Sequence, residues 1–124
     1  MATKLFVNLP VADLARSRSF FTALGLDFFG ATEDMASVVI SEHTQVMLLT
    51  EPVFAGYAHR PPAVGTEAIL VLGLEDRAAV DSLVEKAVAA GAAGLGPASE
   101  DGGMYQRGFT DLDGHQWAAL TIGE

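Results

Sequence analysis

One order of strand-like and helix-like segments occurs twice in the 124-residue sequence, and this repetition constrains the fold more than any other feature. The first copy starts with an apolar, β-branched segment that ends at Pro10, continues with apolar side chains at helical spacing, and finishes with three short apolar runs. An irregular stretch at 51–66, rich in proline and glycine, follows. The second copy repeats the order, with Gly91 ending its helix. The sequence therefore predicts two βαβββ modules, at about 1–55 and 64–124, within one α+β domain.

The predicted helices cover only one side of the apolar strands. Each module supplies a single helix, whereas a sheet that is apolar on both faces needs a layer on each. The other face must therefore curl around a cavity or meet a partner chain. An ordinary α/β sandwich is the competing interpretation, but it does not explain why the two halves are near duplicates.

The composition excludes several classes of protein. Half of the residues are apolar, yet no apolar run approaches the length that crosses a bilayer, and the opening MATKLFVNLP lacks the pattern of a signal peptide. The absence of cysteine excludes disulfides, thiolate nucleophiles and cysteine-ligated metals. These features predict a cytoplasmic protein with no membrane partner.

The charge balance is acidic, since 7 basic and 16 acidic residues give a formal net charge of −9. A field of this sign repels nucleic acid and anionic membranes, and it attracts cationic ligands. We therefore expect no nucleic-acid partner and a small organic ligand, with a cationic one favoured by the charge. The alternative is that the charge serves solubility alone.

Two motifs carry a resemblance to a known family. The opening FVNLPVADLARSRSFFTALGL resembles the first strand and helix of the vicinal oxygen chelate superfamily, which contains glyoxalases, bleomycin resistance proteins and extradiol dioxygenases. The ending MYQRGFTDLDGHQWAAL resembles the last hairpin of that family, so the resemblance spans essentially the whole chain. It implies that the two modules form an open, cup-shaped mixed sheet, completed in a homodimer. In metalloenzyme members, a divalent metal lies at the base of the cup.

The resemblance also identifies the four strand positions that carry the metal ligands in such members. They correspond to Phe6, Leu48, Ile69 and Ala118, and none of these side chains has a lone pair for a cation. A slip of two residues would bring Glu67 to one position, but one carboxylate does not make a metal site. We therefore predict no metal and no cofactor.

The same positions predict the lining of the cup, because side chains two apart on a strand share a face. The result is a largely apolar pocket with a few amides and hydroxyls, which suits an organic ligand. Tyr105, Arg107 and Phe109 alternate along the penultimate strand, and they are either a ligand-orienting set or part of a solvent-facing edge or a dimer seam. The predicted ligand-binding residues are Phe6, Asn8, Leu48, Thr50, Ile69, Tyr105, Arg107, Gln116 and Ala118.

Catalytic residues cannot be assigned from spacing. His43 lies in a predicted turn, His115 in the hairpin that resembles the family motif, and His59 in the stretch 51–66. We interpret all three as surface or structural residues, although His59 could touch a ligand if that stretch folds over the cup. Ser-His-Asp sets are spatial rather than sequential, so none is proposed.

Two functions follow from these observations. The first is a metal-independent binding protein for a small molecule, similar to the drug-sequestering members of the family. The alternative is a glyoxalase-like lyase or isomerase, or a dioxygenase homologue, with a non-standard metal site built from residues such as His43, His59 and Glu67. The empty metal positions and the acidic charge favour binding over catalysis.

Overall fold

The computed structural model describes residues 3–62 and 65–123 and divides into two compact units, Met1–Pro62 and Ala63–Glu124. No helix in the described ranges is long and apolar enough to cross a membrane. The first unit contains β1 (Leu5–Val11), α1 (Leu14–Ala23), β2 (Asp27–Ala31), β3 (Met35–Ser41), β4 (Thr44–Thr50) and α2 (Glu51–Tyr57). The second unit contains β5 (Ile69–Gly73), α3 (Arg77–Ala89), β6 (Gly94–Asp101), β7 (Met104–Thr110) and β8 (Gln116–Ile122).

Each unit forms a four-stranded mixed sheet with the same topology. The strand order is β1-β4-β3-β2 in the first sheet and β5-β8-β7-β6 in the second. In both, the first strand pairs parallel with the last, and the remaining pairs are antiparallel. The predicted α+β class with two βαβββ modules is thereby confirmed.

Helix α1 begins and ends where the local chemistry predicts. The carboxylate of Asp13 accepts a hydrogen bond from the Arg16 amide at the helix start. Gly25, with φ of 91°, follows the helix in the left-handed conformation that glycine adopts without strain. Phe20 and Phe21 are buried, and the helix packs against β2, β3 and β4. Helix α1 therefore covers one face of the first sheet.

The second unit repeats this packing around a different aromatic pair. The Asp76 carboxylate caps α3 by accepting from the Ala79 amide, and the helix packs against β7 and β8. Phe109 and Trp117, on those two strands, stack with ring centroids 6.3 Å apart and are fully buried. The sheet face beneath α3 is therefore the apolar core of this unit.

One helix was not predicted. The stretch 51–66 was interpreted as an irregular connector, but its first seven residues form α2. Pro52, one of the residues for which the stretch was expected to be irregular, lies in the first turn of the helix, where its missing amide hydrogen costs nothing. Helix α2 packs against β1 and β4, two neighbouring strands of the first sheet.

Candidate functional site

A cavity of about 420 Å³ lies within the first unit, on the face of the first sheet turned away from α1. We call this face the open face. Strands β1, β2, β3 and β4 and the end of α2 all contribute to the cavity. The lining consists of Phe6, Asn8, Phe29, Met35, Ser37, Gln45, Met47, Leu49 and Tyr57.

Strand register explains why these residues share the open face. Across β1 and β4, Phe6 pairs with Gln45 and Asn8 pairs with Met47, which also pairs with Ser37 on β3. Paired residues on neighbouring strands point to the same side of a sheet. The intervening residues point to the other side, where Leu48 is completely buried beneath the layer that contains α1.

The cavity is mostly apolar and is flanked by exposed aromatic rings. Phe6 and Phe29 lie on β1 and β2, at opposite edges of the sheet, and Tyr57 lies at the end of α2. All three side chains are exposed although a folding chain tends to bury rings of this size. Met35 and Met47 add flexible thioether side chains that adapt to irregular shapes. The surface is therefore suited to an organic molecule with a flat or apolar body.

The polar groups of the lining are two amides, a serine hydroxyl and the tyrosine hydroxyl. The Ser37 hydroxyl donates a hydrogen bond to Oε1 of Gln45. Asn8 follows Phe6, the partner of Gln45, by two residues on β1, and it makes no side-chain hydrogen bond to another described residue. The lining contains no Asp, Glu, Lys, Arg or His. The polar groups of the lining are therefore neutral hydrogen-bonding groups.

This chemistry does not fit the metal set of the vicinal oxygen chelate enzymes. Divalent zinc, nickel, iron and manganese are held in proteins by imidazole nitrogens and carboxylate oxygens. The lining offers neutral amides, hydroxyls and thioethers instead. Over 3–62 and 65–123, no three His, Asp or Glu side chains are grouped closely enough to hold a metal ion.

Two of the four predicted site residues of the first unit line the cavity, and the other two, Leu48 and Thr50, lie on the opposite face of the sheet. Phe6 and Asn8 line the cavity. Leu48 was predicted to do so, but it is 0% exposed and pairs with Leu9 in the buried layer. A shift of one residue moves every side chain of a strand to the opposite face, so the assignment of β4 was one residue out of register. Thr50 alternates with Leu48, lies outside the lining, and precedes α2 as its N-cap residue.

The open-face residues that the sequence reasoning missed on β4 are Gln45, Met47 and Leu49. A signal for them existed, because Gln45 is a polar residue that alternates with the apolar Val46 and Leu48 in a half-buried strand. Tyr57 was missed for a different reason: it depends on α2, which was not predicted.

The predicted residues of the second unit divide between the two faces of its sheet. Ile69 pairs with Gln116, and Ala118 lies two residues further along β8, so these three share the face away from α3. Tyr105 and Arg107 share the opposite face, as predicted for their alternation, but that face is turned toward α3. They therefore do not point in the same direction as Gln116 and Ala118.

Asp81 of α3 holds these two side chains. The Tyr105 hydroxyl donates to Oδ1 of Asp81 at 2.6 Å, and Nη1 of Arg107 donates to the same oxygen at 3.0 Å. The Tyr105 hydrogen bond, followed by that of Arg107, lowers the pKa of Asp81, and the same carboxylate raises the pKa of Tyr105. This cluster fastens β7 to α3.

The candidate catalytic residues lie apart from the cavity. His43 is exposed in the β3–β4 turn, where its backbone oxygen accepts from the Leu5 amide at 2.8 Å. His59 and Glu67 are exposed, and Glu67 precedes β5. None of the three lines the cavity of the first unit.

The comparisons with known proteins agree with this architecture. A family described as bleomycin resistance protein-like N-terminal matches residues 3–41. A hypothetical protein from S. aureus is 30% identical in sequence, with a TM-score of 0.85 over 98% of this chain and 94% of that protein. No curated protein sequence shows significant similarity to the chain.

More distant solved structures share the fold. A glyoxalase/bleomycin resistance protein/dioxygenase family enzyme from Burkholderia phytofirmans PsJN is 18% identical, with a TM-score of 0.83 over 98% of this chain and 99% of that one. A lactoylglutathione lyase from Agrobacterium tumefaciens is 17% identical, with a TM-score of 0.72 over 98% and 94% of the two chains. The chain belongs to the glyoxalase/bleomycin resistance/dioxygenase group, the vicinal oxygen chelate superfamily.

Proposed function

We propose that this chain is a metal-independent binding protein for a small, predominantly apolar organic molecule, which it holds in the cavity on the open face of the first sheet. The observation that carries the proposal is the lining itself: exposed aromatic rings and thioethers surround a cavity of about 420 Å³ that contains no charged side chain. A cavity of this size accommodates a drug-sized molecule, and mainly apolar linings with a few polar groups are typical of such sites.

The net charge of −9 attracts cations at long range, but the side chains that line the cavity add little to a preference for a cationic ligand. Aromatic faces attract cations, yet they also pack against neutral rings. A carboxylate within the cavity would select a cation directly, and the lining has none. The local chemistry therefore supports a neutral ligand, with the overall charge disfavouring anions.

Catalysis of the glyoxalase or dioxygenase kind has less support. Such chemistry in this superfamily uses a metal that polarises the substrate, and the groups that line the cavity do not supply ligands for it. The distant lyase and family-enzyme structures establish a shared fold rather than a shared reaction.

The test is a titration of ¹⁵N-labelled protein with 2-isopropylnaphthalene, a neutral aromatic probe, in the presence of EDTA. We expect amide shift changes concentrated on β1, β3 and β4. Phe6→Ala should weaken binding roughly tenfold, because it removes an aromatic contact of about 1.4 kcal/mol.

Leu5→Ala is the matched control. Leu5 and Phe6 are neighbours on β1 with similar exposure, 58% and 53%, but only Phe6 lines the cavity. Equal losses in the two variants, or shift changes spread over both units, would mean that the probe adheres to apolar surface in general. Binding that disappears in EDTA would contradict a metal-independent site.

A further inference from the structure

The cavity contains one amide whose orientation is fixed by a neighbour. Ser37 of β3 and Gln45 of β4 are diagonal partners, since Ser37 pairs with Met47 and Val39 pairs with Gln45. Diagonal neighbours on adjacent strands are within reach of a long side chain. The Ser37 hydroxyl donates to Oε1 of Gln45, and Ser37 is only 4% exposed. A buried hydroxyl that loses its partner is costly, so this hydrogen bond resists rotation of the Gln45 amide.

This arrangement leaves the other end of the amide for a ligand. Ser37 donates to the Gln45 carbonyl oxygen, so the amide nitrogen with its two hydrogens is directed to the opposite side of the amide group. Among the described residues, none accepts a hydrogen bond from that nitrogen. Gln45 is half-buried and lines the cavity. The open face therefore presents an oriented neutral donor beside apolar and aromatic groups.

A neutral donor selects a neutral acceptor. Lysine and arginine are absent from the lining, so an anionic ligand lacks a counter-charge there, and the absence of Asp and Glu removes the counter-charge for a cation. A ketone, aldehyde, amide or quinone oxygen accepts from an amide nitrogen without any charge to compensate. The aromatic side chains Phe6, Phe29 and Tyr57 suit the ring system that would carry such an oxygen.

We infer that Gln45, oriented by Ser37, determines the specificity of this cavity: it donates to a carbonyl oxygen of a neutral, mainly aromatic ligand. The inference rests on the proposed function of the cavity and names the ligand class that the cavity takes. Gln45 contacts the ligand, whereas Ser37 is a positioning residue.

The experiment compares two probes of nearly the same shape, 2-acetylnaphthalene and 2-isopropylnaphthalene, which differ in the carbonyl oxygen. Affinities for both are measured by calorimetry with the wild-type chain and with Gln45→Leu. The variant should lose roughly three- to tenfold in affinity for the ketone, the effect of one neutral hydrogen bond, and should bind the hydrocarbon at least as well as the wild type. The change in the ratio of the two affinities cancels general effects of the substitution on packing.

Ser37 is tested through the same ratio. Ser37→Ala frees the Gln45 amide and should reduce the preference for the ketone, whereas Ser37→Thr keeps the hydroxyl and should restore it. A purely structural role for Ser37 would change both affinities together. A measurement that needs no variant is the ¹H shift of the Gln45 side-chain amide, which should move further downfield with the ketone than with the hydrocarbon, because the hydrogen bond adds to the ring-current effect that both probes share.

The outcomes separate this inference from the proposed function. If both probes bind the wild type but Gln45→Leu changes their affinities equally, or not at all, the role of Gln45 is wrong and the binding cavity stands. Tighter binding of a third probe, the N,N,N-trimethyl-2-naphthylammonium ion, than of the ketone would also overturn the preference for a neutral acceptor. If none of the three probes binds, the proposed function fails, and the inference fails with it.

Discussion

At the scale of single residues, Asp111 organises the turn between β7 and β8. Its side chain accepts hydrogen bonds from the amides of Asp113 and His115 at 2.9 and 3.0 Å, and from Nε1 of Trp117 at 3.0 Å. Gly114 supports the same turn with φ of 85°. The resemblance to the family predicted a hairpin here, but the anchoring of the core tryptophan by Asp111 depends on side-chain geometry that spacing does not specify.

Asp111→Asn should destabilise the chain by about 1–3 kcal/mol, because the amide nitrogen of asparagine cannot accept from Trp117 and leaves a buried donor unpaired. Urea unfolding monitored by tryptophan fluorescence measures the loss. Asp101→Asn, an exposed aspartate of β6, is the control and should change the free energy of unfolding little. Equal stabilities of the two variants would contradict the anchoring role.

Asp111 also predicts a pH dependence. Burial raises the pKa of its carboxyl, against the opposing effects of His115, the Trp117 hydrogen bond and the backbone amides. A carboxyl with a raised pKa in the folded state binds its proton more tightly there than in the unfolded chain. Its contribution to stability is therefore full below the ordinary value, about 3.9, and is lost as the pH rises through the raised pKa. Asp111→Asn should lack this loss when unfolding is measured across the same range.

At the scale of elements, the side chains of β4 alternate between the cavity and the core. Leu48 faces the buried layer, and its neighbour Met47 faces the cavity. The resemblance to a family gave the position of β4 by alignment, and that assignment was one residue out of register. A shift of one residue along a strand moves every side chain to the opposite face of the sheet. Helices α1 and α3 and the order of the strands along the chain, which depend on many residues, could be predicted, whereas the lining of the cavity depends on the register of one strand.

Leu48→Ala should lower the free energy of unfolding by about 2–5 kcal/mol through loss of core packing. The affinity of the folded variant for 2-isopropylnaphthalene should stay close to that of the wild type. Met47→Ala should do the reverse, with a small change in stability and a weaker affinity. Both quantities are measured on the same samples, by urea unfolding and by calorimetry. A large loss of affinity in Leu48→Ala together with near-normal stability would restore the original assignment of the faces.

Helix α2 and the Tyr105–Asp81–Arg107 cluster show why other predictions from sequence fell short. Proline in the first turn of a short helix is indistinguishable from proline in a loop when only the local sequence is known. The alternation of Tyr105 and Arg107 established that they share a face, but their partner on α3 is 24 or more residues away in the chain. Which face they occupy is a property of tertiary packing.

At the scale of the whole molecule, the second sheet leaves apolar side chains uncovered on the face away from α3. Ile69 and Val71 of β5 and Ile122 of β8 are 50%, 46% and 76% exposed, and the register places all three on that face. Exposed apolar groups that cluster on one face are typical of an interaction surface. We propose that this face associates with a second copy of the chain, which gives the homodimer that the family resemblance implies.

Sedimentation equilibrium tests the dimer. The wild-type chain should sediment as a dimer, and Ile69→Asp should shift it toward the monomer, because a carboxylate in an apolar contact is costly to desolvate. Val88→Asp is the matched control, since Val88 of α3 is 48% exposed but lies on the helix layer. A monomeric wild-type chain, or equal weakening by both substitutions, would refute this interface.

The parallel pairing of first and last strands has a consequence for how the chain is made. In the first unit, β1 has no partner strand until β4 exists, since Leu5 pairs with Thr44 and Val11 with Thr50. When the ribosome synthesises the chain from its N-terminus, β1 therefore remains without its partner strand for about forty residues. In the second unit, where Ile69 pairs with Gln116, β5 remains without its partner strand for about fifty residues. Each half becomes stable only when its last strand emerges, so nascent chains arrested before β4 should remain sensitive to proteases.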